Sequence, residues 1–272
     1  DIRSAFENAA VILEGTYETG AQEQLYIEPN GVIAMAHKSE GVTVWGSMQC
    51  PYYVHKALLP LFNLPAEKIR VIQTETGGGF GGKEEYPSMI AGHAALLAWK
   101  SGKPVKLIYD RMEDMVATTK RHPSKTVIRT AFDHQNKLIA IDIDFTIDGG
   151  AYCTLSPVVL SRGTLHASGP YFSPNVKIRS RALATNTPPH GAFRGFGAPQ
   201  SLFALEKHMD YCARKLNVDP VTFRKSNLIQ QGQMLGCGQI VNEKIKIKDF
   251  LDRALKEDRK STRLNSSHGY IS

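Results

Sequence analysis

Ile69-Arg70-Val71-Ile72-Gln73-Thr74-Glu75-Thr76-Gly77-Gly78-Gly79-Phe80-Gly81-Gly82-Lys83-Glu84-Glu85 decides how the rest of this chain is read. The β-branched run at 69–73 predicts a strand. It delivers the backbone into a loop in which five of the six residues from Gly77 to Gly82 are glycine. Glycine reaches positive φ and lets a backbone come close to another group, at an entropic cost in the unfolded chain. A run this dense implies that something sits against it. After the loop, residues 89–99 predict a helix, with Met89, Ile90, His93, Leu96, Leu97 and Lys100 sharing one face. Glu84 and Glu85 stand where a helix's first turn favours negative charge, and Ser101-Gly102-Lys103-Pro104 reads as its stop. Residues 105–109 predict a strand, so strand, loop, helix and strand form a β-α-β arrangement with a parallel pair expected.

On the N-terminal side, 1–10 predict a short helix, with β runs beginning at Val11 and at 25–27, 31–36 and 42–45. Residues 51–62 predict a helix opened by Pro51 and ended or kinked at Pro60. On the C-terminal side, 127–132 and 138–147 predict two strands joined by a polar turn. In the second, Ile139, Ile141, Ile143, Phe145 and Ile147 alternate with polar residues, the clearest period of two in the chain. Residues 156–165 predict a helix and 176–184 a strand. A second glycine-punctuated loop follows, His190-Gly191-Ala192-Phe193-Arg194-Gly195-Phe196-Gly197-Ala198-Pro199-Gln200. It leads into a helix with Leu202, Leu205, Met209, Cys212 and Leu216 at helical spacing, then a short helix capped by Asp219-Pro220. The expected fold class is α+β (mixed α/β), β-rich sheets with packed helices. Residues 259–272 are polar, serine-rich and without period; they resemble translated adaptor or vector sequence and are set outside the fold as a non-native or disordered tail, leaving 1–258 as one partial domain.

The 42% hydrophobic and 22% charged content of the 272 residues is that of a globular protein with a sizeable core. A net charge of +7 is scattered, with no basic run of the kind that marks a nucleic-acid tail. Cys50, Cys153, Cys212 and Cys237 form no ligand pattern, which argues against a zinc site or a cysteine-bound iron–sulfur cluster within the chain. No run approaches the roughly 20 apolar residues a membrane span needs. The chain reads as soluble, with the cytoplasm as its expected location.

Two groups could occupy the glycine loop on spacing alone, a dinucleotide or a phosphate, against a purely structural turn. Gly77-x-Gly79-x-x-Gly82 satisfies a dinucleotide-binding pattern, but a glycine-saturated run guarantees that match, and the acidic residue expected about 20 positions on is missing. The same run followed by Lys83 approaches a phosphate-binding P-loop, yet Glu84 stands where a Ser or Thr must supply a magnesium ligand. A purely structural turn accounts for one or two glycines and poorly for five.

Gly77-Gly78-Gly79-Phe80-Gly81-Gly82-Lys83-Glu84, taken together with Gly191 to Gln200, resembles the xanthine dehydrogenase/aldehyde oxidase family, and specifically its large, molybdopterin-binding subunit. The likeness runs from about residue 1 to 258 and includes Tyr26-Ile27-Glu28-Pro29. It implies a xanthine dehydrogenase-like molybdopterin oxidoreductase that hydroxylates an electron-poor carbon with oxygen from water. It also implies a molybdenum–molybdopterin cofactor, with the cytosine dinucleotide form as an alternative, iron–sulfur clusters and FAD on partner subunits or domains, and a dimer of heterotrimers. By the resemblance, Gln49, Gly79, Phe80, Gly81 and Arg194 contact the cofactor, with Gln49, Phe80 and Arg194 facing the metal's oxygens; Glu84 and Arg162 grip a heterocycle and Phe196 stacks on it. That set points to a purine or related N-heterocycle, with an aldehyde as the alternative substrate and nucleotide binding by the loop as the alternative function. The family's catalytic glutamate lies beyond the end of this chain, so the isolated chain is expected neither to turn over nor to bind molybdenum tightly.

Overall fold

The computed structural model describes residues 1–265, with side chains through Asp258. In chain order the elements are α1 (Ile2–Glu7), β1 (Val11–Thr19), β2 (Gly31–His37), β3 (Gly41–Gly46), α2 (Pro51–Phe62), β4 (Ile69–Gln73), α3 (Pro87–Ser101), β5 (Val105–Ile108) and α4 (Arg111–Ala117). There follow β6 (Lys120–Arg121), β7 (Ser124–Phe132), β8 (Leu138–Gly150), α5 (Ser156–His166), β9 (Val176–Ala184), β10 (His190–Gly191), α6 (Ala198–Lys215), α7 (Pro220–Asn227) and α8 (Ile247–Asn265). The mixed sheet-and-helix class expected from sequence is the one observed. Helix α8 crosses the 258/259 boundary, and 266–272 lie outside the described residues. No described helix is long and apolar enough to cross a membrane.

Two hydrophobic cores carry the elements. The first lies under a four-stranded sheet of order β4-β3-β2-β5 and is closed by α2 and α3; Val32, Ala34, Val44, Leu58 and Ile90 are buried in it. The second lies under a sheet of order β1-β7-β8-β9 and is closed by α5, α6 and α7. There the period-two run delivers Ile141, Ile143, Phe145 and Ile147 to the interior against Leu205 and Met209, while Ile139 is only half-buried beside a register shift. A two-stranded parallel ladder, β6 with β10, pairs Lys120 with His190 and Arg121 with Gly191.

Four expectations need correction. Strand β4 finds its parallel neighbour in β3, while β5 pairs antiparallel with β2 at the opposite edge, so the β-α-β pair is not adjacent. Residues 25–27 form no strand: the Arg111 guanidinium takes the Tyr26 and Ile27 carbonyls at 2.7 Å each, leaving them unavailable to a ladder. Helix α2 continues past Pro60 to Phe62, because the missing donor removes one bond within a turn of the end, where Asn63 stops the helix in the left-handed region. The face of α3 that packs is the small one, with Ala91, Ala94, Ala95 and Ala98 buried, whereas Met89 and Leu97 are exposed. Small side chains let a helix lie close on a sheet, and α3 packs chiefly on β2.

The glycine loop after β4 is pinned from below. Lys83 is fully buried, and its Nζ lies 2.7 Å from Glu28 Oε2 and 3.0 Å from Ser47 Oγ. The same Glu28 oxygen accepts from Ser47 Oγ and from the Gly77 amide, both at 2.7 Å. Burial pushes the Glu28 carboxyl upward, but the bonds from Lys83, Ser47 and Gly77 outweigh it and hold the group below the ordinary carboxylate range.

These contacts set the expected response to substitution. Ala94→Leu overpacks the α3–sheet contact and loses about 1–3 kcal/mol, whereas Leu97→Ala, on the exposed face, changes denaturant stability by less than about 1 kcal/mol. Glu28→Ala leaves the buried Lys83 charge with only Ser47 to accept its hydrogen bonds among the described residues, at a cost of about 1–3 kcal/mol, reduced by the water that reaches the half-exposed Glu28 position. Because Glu28's folded pKa is depressed, the stability it adds is present above its unfolded value of 4.5 and lost as pH falls through the folded value. Acid titrations of unfolding should show that step in the parent sequence and lose it in Glu28→Gln.

Candidate functional site

The two glycine loops come from different cores and meet. The Arg194 amide donates to the Phe80 carbonyl at 2.8 Å, and Gln24 Nε2 donates to the Ala192 carbonyl at 2.7 Å. Gly81 is required at this crossing: its φ is +102°, and an added Cβ would lie 2.7 Å from the Ala192 carbonyl carbon. Phe80 and Phe196, one in each loop, both hold left-handed backbone, with φ of 50° and 45°. Non-glycine residues held there carry local strain and concentrate at functional sites.

Gln49 follows β3 and touches the first loop directly. Its Oε1 accepts from the Gly81 amide at 2.9 Å and the Lys83 amide at 3.3 Å, and its backbone N–H donates to the Lys83 carbonyl at 2.7 Å. Two backbone donors on Oε1 fix the side-chain amide's orientation, which leaves Nε2 as an exposed donor with no partner among the described residues. Gly79 is buried against this glutamine. Phe80 is half-exposed, and its N–H has no acceptor among the described residues. The Arg194 side chain is exposed and makes no polar contact with the described residues, although its carbonyl accepts from Arg121 Nη2 at 3.2 Å.

The three residues expected to hold a substrate also converge. The Arg162 guanidinium, on α5, stands 5.8 Å from the centre of the Phe196 ring. Burial and the adjacent Glu85 raise the Glu84 carboxyl above its ordinary range, and the nearby Arg162 charge pulls it back. An apolar cleft of about 760 Å³ is lined by Tyr53, Met89, Tyr152, Leu155 and Pro189, with Glu85 at its wall.

Helix α3 begins at Pro87, so neither Glu84 nor Glu85 is a first-turn charge. Glu85 instead turns back, and its Oε1 accepts from Thr119 Oγ1 at 2.9 Å and the Ala192 amide at 3.1 Å. Lys83, whose spacing suggested a phosphate reader, has its ammonium consumed by Glu28 and Ser47. The loop also reaches its helix only five residues after Gly82, so the dipole of α3 does not open onto it.

Several supporting residues are invisible to motif reading. The buried Arg121 guanidinium stacks 3.8 Å over the Phe193 ring, reaches Gln22 at 3.0 Å and holds the second loop through the Arg194 carbonyl. Gln200 donates to the His122 carbonyl at 3.2 Å. Glu28 and Lys83 were legible only as a polar residue in a matched segment and a lysine after glycines, because their pairing joins positions 55 residues apart.

Residues 1–228 match the family described as the molybdopterin cofactor-binding domain. The chain is 35% identical over 254 residues to the nicotinate dehydrogenase large molybdopterin subunit of Eubacterium barkeri, covering 93% of this chain and 59% of that one. It is 40% identical over 228 residues to a probable xanthine dehydrogenase subunit of Bacillus subtilis (strain 168), covering 84% of this chain and 30% of the relative. Among solved structures, the aldehyde oxidoreductase of Desulfovibrio gigas superposes with a TM-score of 0.88 at 27% identity, over 100% of this chain and 30% of that one. The quinoline 2-oxidoreductase of Pseudomonas putida 86 does so with a TM-score of 0.83 at 25% identity, over 98% of this chain and 35% of that one. This chain therefore spans part of each relative. With two glycine loops meeting as one wall and a family match over most of its length, the chain belongs to the molybdopterin-binding subunits of the xanthine dehydrogenase/aldehyde oxidase family.

Proposed function

We propose that this chain, through a domain spanning 1–258, forms one wall of the site of a molybdenum hydroxylase acting on a purine or related N-heterocycle, in the cytoplasm, with iron–sulfur and FAD partners taking the electrons. The observation that carries the substrate reading is the convergence of Glu84, Arg162 and Phe196: an acid, a base and an aromatic face suit a flat ring bearing nitrogens. Similarity to a nicotinate dehydrogenase subunit and a probable xanthine dehydrogenase subunit agrees with it. Aldehyde oxidation is the runner-up, favoured by the fold likeness to an aldehyde oxidoreductase.

The residues present fit a molybdenum–pterin group. The Phe80 N–H and Gln49 Nε2 are open donors beside a loop with little side-chain bulk, and the Arg194 guanidinium is free to meet an anionic phosphate. When bound, that group supplies the redox chemistry no side chain can provide. The protein's part is to hold and polarise. Glu84, its carboxyl raised by burial and by Glu85 and pulled back by Arg162, offers a hydrogen-bonding carboxyl to a ring nitrogen or carbonyl. Arg162 places positive charge where the ring gains negative charge during attack, and Phe196 fixes the plane.

The test uses the complete subunit assembled with its partners, loaded with cofactor and assayed on hypoxanthine, nicotinate and an aldehyde. Arg162→Met should lower kcat/KM on the heterocycle by about 10²–10³-fold, with molybdenum content unchanged and aldehyde turnover altered by less than about threefold. Equal losses on both substrates, or a preference for the aldehyde in the parent sequence, would sink the heterocycle reading.

A further inference from the structure

Glu85 is a buried carboxyl in an expensive place. One oxygen, Oε1, accepts from Thr119 Oγ1 at 2.9 Å and from the Ala192 amide at 3.1 Å. The other, Oε2, is buried with no partner among the described residues. Burial raises the group above the ordinary carboxylate range, against the pull of its own hydrogen bonds. A charge held this way costs stability at neutral pH, and an amide or a small apolar residue would avoid the cost.

What the carboxyl touches gives it a task. Thr119 immediately precedes β6, and Ala192 immediately follows β10, the two strands of the parallel ladder. Glu85 itself ends the first glycine loop. Its carboxyl therefore joins the first loop to both edges from which the second loop springs. It also explains a glycine in the second motif: a Cβ on Gly191 would lie 1.7 Å from Glu85 Oε1 and 2.4 Å from Thr119 Oγ1. The space a side chain would take at 191 is occupied by the carboxylate oxygen.

We propose that Glu85 is a positioning residue: its carboxyl, held between the Thr119 hydroxyl and the Ala192 amide, sets where the second glycine loop stands against the first. Arg194 and Phe196 are thereby placed opposite Phe80 and Glu84. This role rests on the proposed function only in taking the two loops as walls of one site.

The test is amide hydrogen exchange on the cofactor-free 272-residue chain, so it stands apart from the substrate assays. Glu85→Ala should speed exchange at Ala192 and Arg194 tenfold or more, leaving Gly81, which is held by Gln49, within twofold. Glu85→Gln, whose Oε1 can still accept both bonds, should keep Ala192 and Arg194 within threefold of the parent sequence. Thr119→Ala, a milder change to be read if Glu85→Ala does not fold, should open Ala192 about threefold. A second readout separates the carboxyl from a mere space-filler. A raised folded pKa means the parent is relatively most stable below the unfolded value of 4.5 and loses ground as pH rises through the folded one. The melting-temperature advantage of Glu85→Gln should therefore grow from pH 4 to pH 8. Unchanged exchange at Ala192 and Arg194 in the alanine variants, equal opening in Glu85→Gln, or a pH-independent difference would overturn the proposal.

Discussion

The ion pair between Lys83 and Glu28 is the constraint on which the site depends. A loop with five glycines has almost no side chains with which to hold itself, so its shape must come from groups that reach its backbone. Glu28 binds the Gly77 amide at the loop's entry while pairing with Lys83 at its exit, and Gln49 binds the Gly81 and Lys83 amides between them. The glycines keep the surface free of bulk, and the side chains of Glu28, Gln49 and the buried Lys83 supply the rigidity. A charge pair with one buried partner is poor evidence of stability in general. Here its geometric effect is the more telling one, because it fixes a segment that has no packing of its own.

The second loop is held by different means. Its backbone carries the crossing bond from Arg194 to Phe80, and its carbonyls are taken by Arg121 and Gln24. The two phenylalanines in left-handed backbone sit at the two centres of this arrangement, one in each loop. Phe80 is held from the other loop through the Arg194 amide on its carbonyl, and Phe196 by the turn its own N–H closes onto the Phe193 carbonyl, so polar contacts balance the strain at both positions. Among the described residues, Gln49 Nε2, the Phe80 N–H and the Arg194 guanidinium are donors at these loops that the fold does not spend on itself.

Much of the fold was legible. Period-two alternation located β8 and its buried face, helical spacing located α6, and Asp219-Pro220 marked the start of α7, where Asp219 accepts from the Thr222 amide. The departures share a cause. Glu84 and Glu85 precede a helix that begins only at Pro87, α3 packs its alanines instead of its larger apolar residues, and β5 crosses to the far edge of its sheet. Each of these depends on which surface an element meets, and local pattern carries no information about that.

By itself the sequence determined that two glycine-rich loops would exist, which residues between them carry charge or an aromatic ring, and which family the pair of motifs resembles, because those properties are written in residue type and spacing. Only the tertiary structure decided that Arg162 reaches Phe196 and feels Glu84, that Lys83 turns inward to Glu28 instead of outward to a ligand, and that Glu85 bridges to Ala192 across 107 residues of chain. The reason is physical: a buried polar atom must find a partner or bear its desolvation cost, and the partner is chosen by whatever the fold brings within about 3 Å, however distant it lies in sequence.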